Sequence, residues 1–423
     1  MKMHPITFIS ILLLLIISSF QVQAQWHEQT SPIATTLYTV SVVDDSVAWA
    51  GGTGGKVLRT VDGGITWTQV GAGALGTDDV YNIFGIDSSN ALCTTSSTTT
   101  YIYKTTDGGA TWTQVFSQVG GFMDAIWMFD SDNGFAYGDP VGGTWELYKT
   151  SDGGNTWTPA ASLPQDGTEA GWNNAMYVSD PYIYFGTNNS RIYYSTDRGA
   201  TWTIQTITYP NSYSIWFNDS NRGMMGGSQL NQTTDGGMTW TALNNLPSTG
   251  SINSLTGKDN MWWVARQANV IYNSTDNGAT WDSQYVSPTA GLYFAMARSR
   301  DPQDSLIIAV RNDGGISAYG PSGPTGVKQD NNTPIPLTFN LAQNYPNPFN
   351  PSTRIEFNVP ETGNVKLTVY NVLGQEVAVL VNGMVTAGLH TATFNASSLP
   401  SGTYIYKLQS NNSVMVKKMM LMK

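Results

Sequence analysis

The sequence predicts an all-β protein: a seven-bladed β-propeller closed by its N-terminal strand, followed by a small Ig-like β-sandwich. Three observations lead there. A box of eight residues ending in Thr-Trp recurs six times, short alternating segments fill each interval, and composition changes near residue 320 before a second set of alternating segments begins. Of 423 residues, 43 are Gly, 21 Tyr and 14 Trp, while only 12% are charged. That balance suits strands and tight turns, and it excludes a coiled coil or a disordered chain.

At the N-terminus, Lys2 precedes the apolar run ITFISILLLLIISSF, and Val22-Gln23-Ala24 places small residues where a signal peptidase reads them. Residues 1–24 are therefore expected to be a secretory signal cleaved after Ala24. The run is short for a bilayer span and nothing after it is as apolar, so no transmembrane segment is expected in the mature chain. Cys93 is the one cysteine, which excludes an internal disulfide and a multi-thiolate zinc site. Its setting, NALCTT, suits a buried core thiol.

The boxes are TVDGGITW (60–67), TTDGGATW (105–112), TSDGGNTW (150–157), STDRGATW (195–202), TTDGGMTW (233–240) and STDNGATW (274–281). Their aspartates are Asp62, Asp107, Asp152, Asp197, Asp235 and Asp276, spaced by 45, 45, 45, 38 and 41 residues, the length of one four-stranded sheet. The closing tryptophans are Trp67, Trp112, Trp157, Trp202, Trp240 and Trp281. Ser or Thr opens a turn, Asp accepts backbone N–H groups across it, Gly supplies positive φ, and Trp returns as an apolar plug. After the sixth box LYFAMARSR, SLIIAV and GGISAYG give three more strands, but GPSGPTG stands where a box would follow. QWHEQ, with Trp26, looks like the segment after a box, so the N-terminal strand is expected to complete a seventh blade and bound the domain at 25–320.

The boxes resemble Asp-box, or BNR, repeats of the form S/T-x-D-x-G-x-T-W, found in sialidases, some glycoside hydrolases, sortilin-type receptors and photosystem II assembly-factor-like propellers. The resemblance implies that the boxes shape the fold and lie away from the ligand face.

A linker is expected over 321–336, where Gly, Pro and Asn dominate. Beyond it, FNLAQNY, TRIEFNV, VKLTVYNV, QEVAVLV, HTATFN, TYIYKLQ and SVMVKKMML alternate as strands of a β-sandwich over 337–423. This region resembles the type A C-terminal sorting domain of the type IX secretion system. The resemblance is carried by Tyr345-Pro346-Asn347-Pro348-Phe349-Asn350-Pro351-Ser352, Asn371-Val372-Leu373-Gly374-Gln375, Leu399-Pro400-Ser401-Gly402-Thr403-Tyr404 and the pair Lys417-Lys418. It implies Sec export, recognition by the type IX machinery through features such as Gly374, Gly402, Lys417 and Lys418, and release or attachment at the outer-membrane surface.

Charge divides unevenly. Residues 25–330 hold 27 acidic and 13 basic side chains, and residues 335–423 hold 3 and 6. An acidic body argues against nucleic acid or an anionic membrane surface as partner. Outside the signal only His27 and His390 remain, so no His-based triad or zinc site is expected, and no cofactor or metal. Sialidase chemistry lacks an assignable arginine triad, and residues 25–320 contain only Glu28, Glu146 and Glu169.

One constellation remains as a candidate ligand site. Asp79, Asp124 and Glu169 each precede the next box aspartate by 28 residues, at the start of an innermost strand. With Trp145 and Trp172 near the same face and Arg191, Arg266 and Arg311 on later loops, they would suit a cation, a basic peptide or paired glycosidase carboxylates. The plainer alternative is loop aspartates in solvent and tryptophans in the core. The reading is a secreted or surface, non-catalytic binding protein with a protein or polysaccharide ligand. The alternative is an extracellular glycoside hydrolase or carbohydrate-binding protein.

Overall fold

The computed structural model describes residues 25–302, 304–320, 339–344, 347–359, 363–385, 388–396, 399–410 and 413–422. The expected signal 1–24 and linker 321–336 lie outside the described residues, as do Tyr345 and Pro346. Two compact units divide between residues 326 and 327.

The first unit holds seven four-stranded antiparallel sheets, six of them built from strands hydrogen-bonded in sequence order. Sheet 1 comprises Leu37–Val42, Ala48–Gly52, Lys56–Thr60 and Thr68–Val70. Sheet 2 comprises Asp79–Gly85, Ala91–Ser96, Thr99–Thr105 and Thr113–Val119. Sheet 3 follows with Met123–Met128, Gly134–Val141, Thr144–Thr150 and Thr158–Pro159. Sheet 4 has Met176–Ser179, Tyr182–Gly186, Arg191–Ser195 and Thr203–Thr206. Sheet 5 has Ser214–Phe217, Gly223–Gly226, Leu230–Thr233 and Thr241–Leu243. Sheet 6 has Ile252–Lys258, Met261–Arg266, Val270–Ser274 and Asp282–Val286. Sheet 7 joins Tyr293–Arg298, Ile307–Arg311 and Ile316–Gly320 to the N-terminal strand Gln25–Gln29, with Trp26 opposite Tyr319.

The expected fold class, a seven-bladed propeller closed by its N-terminal strand with an Ig-like sandwich, is corrected here. The described residues form nine separate antiparallel sheets, eight of four strands and one of three, and none is closed or curled into a blade arrangement. The reason lies in the ladders: Gln25–Gln29 adds an edge strand to an open sheet, and its backbone ladder pairs with Ile316–Gly320 and no other strand.

Burial grades across each sheet. Second strands such as Ala91–Ser96 are buried throughout, whereas last strands such as Thr68–Val70 are largely exposed. Cys93 sits in the core, and burial pushes its thiol pKa up. First strands pack side by side, Leu37–Val42 lying against both Asp79–Gly85 and Tyr293–Arg298. Hydroxyl and amide side chains fasten these neighbours. Ile83 N donates to Thr39 Oγ1 (3.3 Å), Gly85 N to Ser41 Oγ (3.1 Å), Ile126 N to Asn82 Oδ1 (3.0 Å) and Met296 N to Ser254 Oγ (2.9 Å).

All six boxes share one geometry at the turn between third and fourth strands. In the sixth, Ser274 Oγ donates to Asp276 Oδ1 (2.8 Å), Thr280 N to the same oxygen (2.9 Å) and Thr280 Oγ1 to Oδ2 (2.6 Å), while Gly278 N donates to Ser274 Oγ (2.8 Å). Hydrogen bonds from Thr156, Thr239 and Thr280 hold the carboxyls of Asp152, Asp235 and Asp276 down at about 2. Gly64, Gly109, Gly154, Gly199, Gly237 and Gly278 carry φ of 80–87°, which a Cβ would oppose. Trp67, Trp112, Trp157, Trp240 and Trp281 are buried, and Trp202 is half-buried against Phe135 and Phe185.

The second unit has a three-stranded sheet, Asn340–Leu341, Ser352–Val359 and Gly388–Asn395, and a four-stranded one. The latter runs Glu376–Val385, Gly363–Asn371, Gly402–Ser410 and Val414–Leu421 in spatial order. Phe357 and Phe394 from one sheet meet Leu367, Tyr406 and Leu421 from the other in one core, together with Phe349. Gly374 adopts φ 78° in the turn after Asn371, whose side chain accepts N–H bonds from Leu373 and Gln375. Lys417 and Lys418 lie on the edge strand opposite Tyr406 and Ile405.

Candidate functional site

First strands of all seven sheets contribute to a central cavity of about 150 Å³, and its entrance widens into a second space of about 290 Å³. Aromatic rings dominate that entrance: Tyr38, Tyr81, Trp172, Tyr213 and Phe294 come from five different first strands or the loops that lead into them. The rings touch. Tyr38 lies 5.3 Å from Tyr81 and 5.6 Å from Phe294, Tyr81 lies 4.9 Å from Phe122, and Trp172 lies 4.6 Å from Tyr213, centroid to centroid.

Backbone irregularity aims several of these side chains. Strand register slips by one residue at Tyr38, Tyr81, Asp124, Asn253 and Phe294, so each is the extra residue of a bulge at the start of its first strand. A bulge turns one side chain out of the alternation and increases local twist, which is how five sheets direct equivalent positions inward.

Asn174 links the floor of this space to distant sheets. It holds φ 63°, a conformation Asn tolerates better than most residues. Its Oδ1 accepts from Thr39 Oγ1 (2.9 Å) and Asn82 Nδ2 (2.8 Å), and its Nδ2 donates to Tyr38 O and Tyr81 O (3.3 Å each). At the other end of the cavity Arg300 stacks over Phe84 at 4.3 Å and donates to Ser41 Oγ at 3.0 Å, and burial draws its pKa down to about 10.

The carboxylates singled out in the sequence occupy three unlike settings. Asp79 accepts from Gly54 N at 2.8 Å and raises the pKa of Tyr81, after burial of that phenol. Asp124 is buried, and its Oδ2 has no hydrogen-bond partner. Burial first, and the charge of Asp139 second, push its carboxyl well above the ordinary range. Asp139 is itself raised by burial and eased by Gly171 N at 2.6 Å. Glu169 lies in the loop before Met176–Ser179, fully buried, accepting from Tyr193 Oη (2.7 Å) and Arg191 Nη1 (3.2 Å).

The arginines and tryptophans are likewise distributed. Arg191 also pairs with Asp166. Arg311 is bound by both oxygens of Glu28 and by Asp313, and although burial opposes its charge, Glu28 raises its pKa overall. Arg266 is buried against Gly250 O and Gln229 Oε1, and burial lowers its pKa. Trp145 packs in the core on Phe185 and Tyr193, while Trp172 alone of these eight residues lines the entrance. Tyr38, Tyr81, Tyr213 and Phe294 escaped the sequence reading because an aromatic residue in an apolar strand looks like core. Among the described residues no group of three or more His, Cys, Asp or Glu is arranged to hold a metal ion, and no helix is long and apolar enough to cross a membrane.

Repeated Asp-box sheets around an aromatic cavity, with a separate two-sheet C-terminal unit, define a BNR-repeat protein. The chain carries a BNR/Asp-box propeller domain similar to YCF48 and a C-terminal sorting domain, "propeller" naming the family and not a closed ladder. Residues 18–162 match the photosynthesis system II assembly factor YCF48 family, and residues 343–422 match the secretion system C-terminal sorting domain. The sorting domain assigns the chain to the type IX export route and to a secreted or cell-surface location. No curated protein matches the chain in sequence.

Solved structures show the fold relationship. YCF48 bound to D1 peptide superimposes with TM-score 0.57 at 18% identity, covering 70% of this chain and 96% of that one. YCF48 from Cyanidioschyzon merolae gives TM-score 0.57 at 18% identity, covering 71% of this chain and all of its own, 100%. Raptor from Chaetomium thermophilum gives 0.52 at 13% identity, covering 71% of this chain and 30% of that one.

Proposed function

We propose that the mature chain, from Gln25 through a sorting domain at 337–423, is a non-catalytic binding protein whose aromatic entrance takes an extended segment of a partner polypeptide. The observation that carries this reading is the convergence of Tyr38, Tyr81, Trp172, Tyr213 and Phe294 on one cavity. Rigid aromatic faces with few rotatable bonds bind peptide side chains at low entropic cost, and Asn173, Asn253, Ser251 and Gln267 beside them offer amide and hydroxyl partners for a peptide backbone. The similar YCF48 structure is bound to D1 peptide, which supports a peptide over other ligands. Asp79, Asp124 and Glu169 have separate surroundings, which favours binding over paired-carboxylate chemistry.

The test is retention of the secreted protein on an array of cell-surface peptides, followed by titration of the retained peptides. Trp172→Ala and Tyr81→Ala are each expected to weaken binding at least about tenfold, the loss of one aromatic hot spot. Retention of no peptide, or wild-type affinity in both variants, refutes the reading.

A further inference from the structure

A second and larger cleft opens between sheets 4 and 5, away from the central cavity. It encloses about 760 Å³. Tyr177, Tyr184, Tyr194 and Phe217 form its floor and walls, and exposed Tyr182 and Met238 stand at its rim. The rings are fixed. Tyr184 and Tyr194 stack at 5.8 Å with planes 15° apart, Tyr184 Oη donates to Gly236 O at 2.9 Å, and Tyr177 Oη donates to Phe217 O at 3.3 Å.

The repeats differ from one another at this junction. In sheet 2 the third-strand residue Lys104 spans to the next box and donates to Asn155 Oδ1 at 2.9 Å. In sheet 1, Arg59 reaches Ser88 O at 2.8 Å across the neighbouring turn. In sheet 4 that position is Tyr194, and its hydroxyl meets only the sulfur of Met238 at 3.9 Å, a weak contact. The bridging cation is absent and the space beneath stays open.

We propose that this cleft binds a neutral polysaccharide, its sugar rings lying against the tyrosine faces. Preoriented aromatic faces suit the apolar C–H faces of pyranose rings, and a volume of this size accommodates more than one ring. Two carboxylates at the edge complete the chemistry. Asp219 is anchored by Asn221 N, Arg222 N and Arg222 Nε, and Asp235 by its own box, so both are held ionised and already compensated. Anchored carboxylates retain lone pairs for sugar hydroxyls yet do not demand a cation. No Lys or Arg lines the cleft, which disfavours uronic or sulfated polymers.

The mature full chain would be run in affinity gels containing hydroxyethyl cellulose, glucomannan, arabinoxylan or dextran, with alginate as the anionic comparison. At least one neutral polymer is expected to retard it, and alginate is not. The double variant Tyr194→Lys, Met238→Asn transplants the sheet 2 junction into the cleft and avoids a cavity-forming truncation. It should lower affinity for the retarding polymer at least tenfold while melting as a folded protein. Should it unfold, Tyr182→Ala at the exposed rim should show the same direction of loss. Retardation by no neutral polymer, retardation by alginate alone, or full retardation of the folded variants overturns the proposal.

Discussion

Glu28 grips Arg311 with both carboxylate oxygens, at 2.9 and 2.7 Å, and so ties the N-terminal strand to the last sheet across 283 residues of sequence. Arg311 is almost wholly buried and Glu28 partly so, with side-chain exposures of 2% and 28%. Ser317 Oγ and Tyr285 Oη donate to the same carboxylate, at 2.5 and 2.8 Å.

Breaking this pair from one side leaves the buried guanidinium with Asp313 as its one carboxylate. Glu28→Gln is therefore expected to destabilise the chain by about 3 kcal/mol, the low end for removing one partner of a buried ion pair. Urea denaturation of the mature protein followed by Trp fluorescence measures it, and an unchanged midpoint would refute the role.

Asp124 should act in the opposite sense. Its folded pKa lies above its unfolded value, so its favourable contribution is complete below about pH 4 and fades as pH rises through the folded pKa. Asp124→Asn is expected to raise the urea midpoint at pH 7 and to lose that advantage towards pH 4. Midpoints measured across that range check the sign.

Box aspartates work the other way. With carboxyls at about 2, Asp152, Asp235 and Asp276 support the fold above the unfolded value near 4 and lose their effect as pH falls towards 2. Asp276→Asn should lower the melting temperature at pH 7, on the order of 3 °C, and narrow the gap to wild type in acid. Differential scanning calorimetry reads both.

Export offers a fourth test. Val414–Leu421 is an edge strand whose exposed side presents Val414, Val416, Lys418 and Met420, while Met419 and Leu421 are buried. Deleting 413–423 should retain the protein in the periplasm of a type IX-competent host. Lys418→Asp with Met420→Ser leaves the buried residues intact and should also reduce export. Cell fractionation with immunoblotting decides, and normal export of the deletion would refute the dependence.

The elements most legible in the sequence were those enforced by local chemistry. The box needs Ser or Thr, Asp, Gly and Trp at fixed spacing because one carboxylate and one hydroxyl satisfy the same turn each time, as Asp276 and Ser274 do. The sorting motif was legible for a similar reason, with Asn371 closing the turn that Gly374 permits. Sheet closure was not, because repeated hairpins specify pairing within a sheet and say nothing about ladders between sheets. Nor was the aromatic entrance: a one-residue bulge at Tyr38 or Phe294 leaves no mark on alternation, yet it redirects the side chain. Counting 28 residues back from each box placed Glu169 beside Asp79 and Asp124, but the loop before Met176 lengthens there and carries Glu169 to Tyr193.

The side-chain fastenings between first strands bear on how this molecule can change over generations. Thr39, Ser41, Asn82 and Ser254 each serve a backbone amide of the next repeat. Solenoids gain and lose units readily because each unit meets interchangeable neighbours. Here Thr39 and Asn82 hold equivalent places, each accepting an amide 44 residues further on, so a repeat lost between them would bring a new acceptor to the waiting amide. The polar fastening is thus itself a repeated part that tolerates exchange, and what individualises the repeats is left to loops and junctions such as the one at Tyr194.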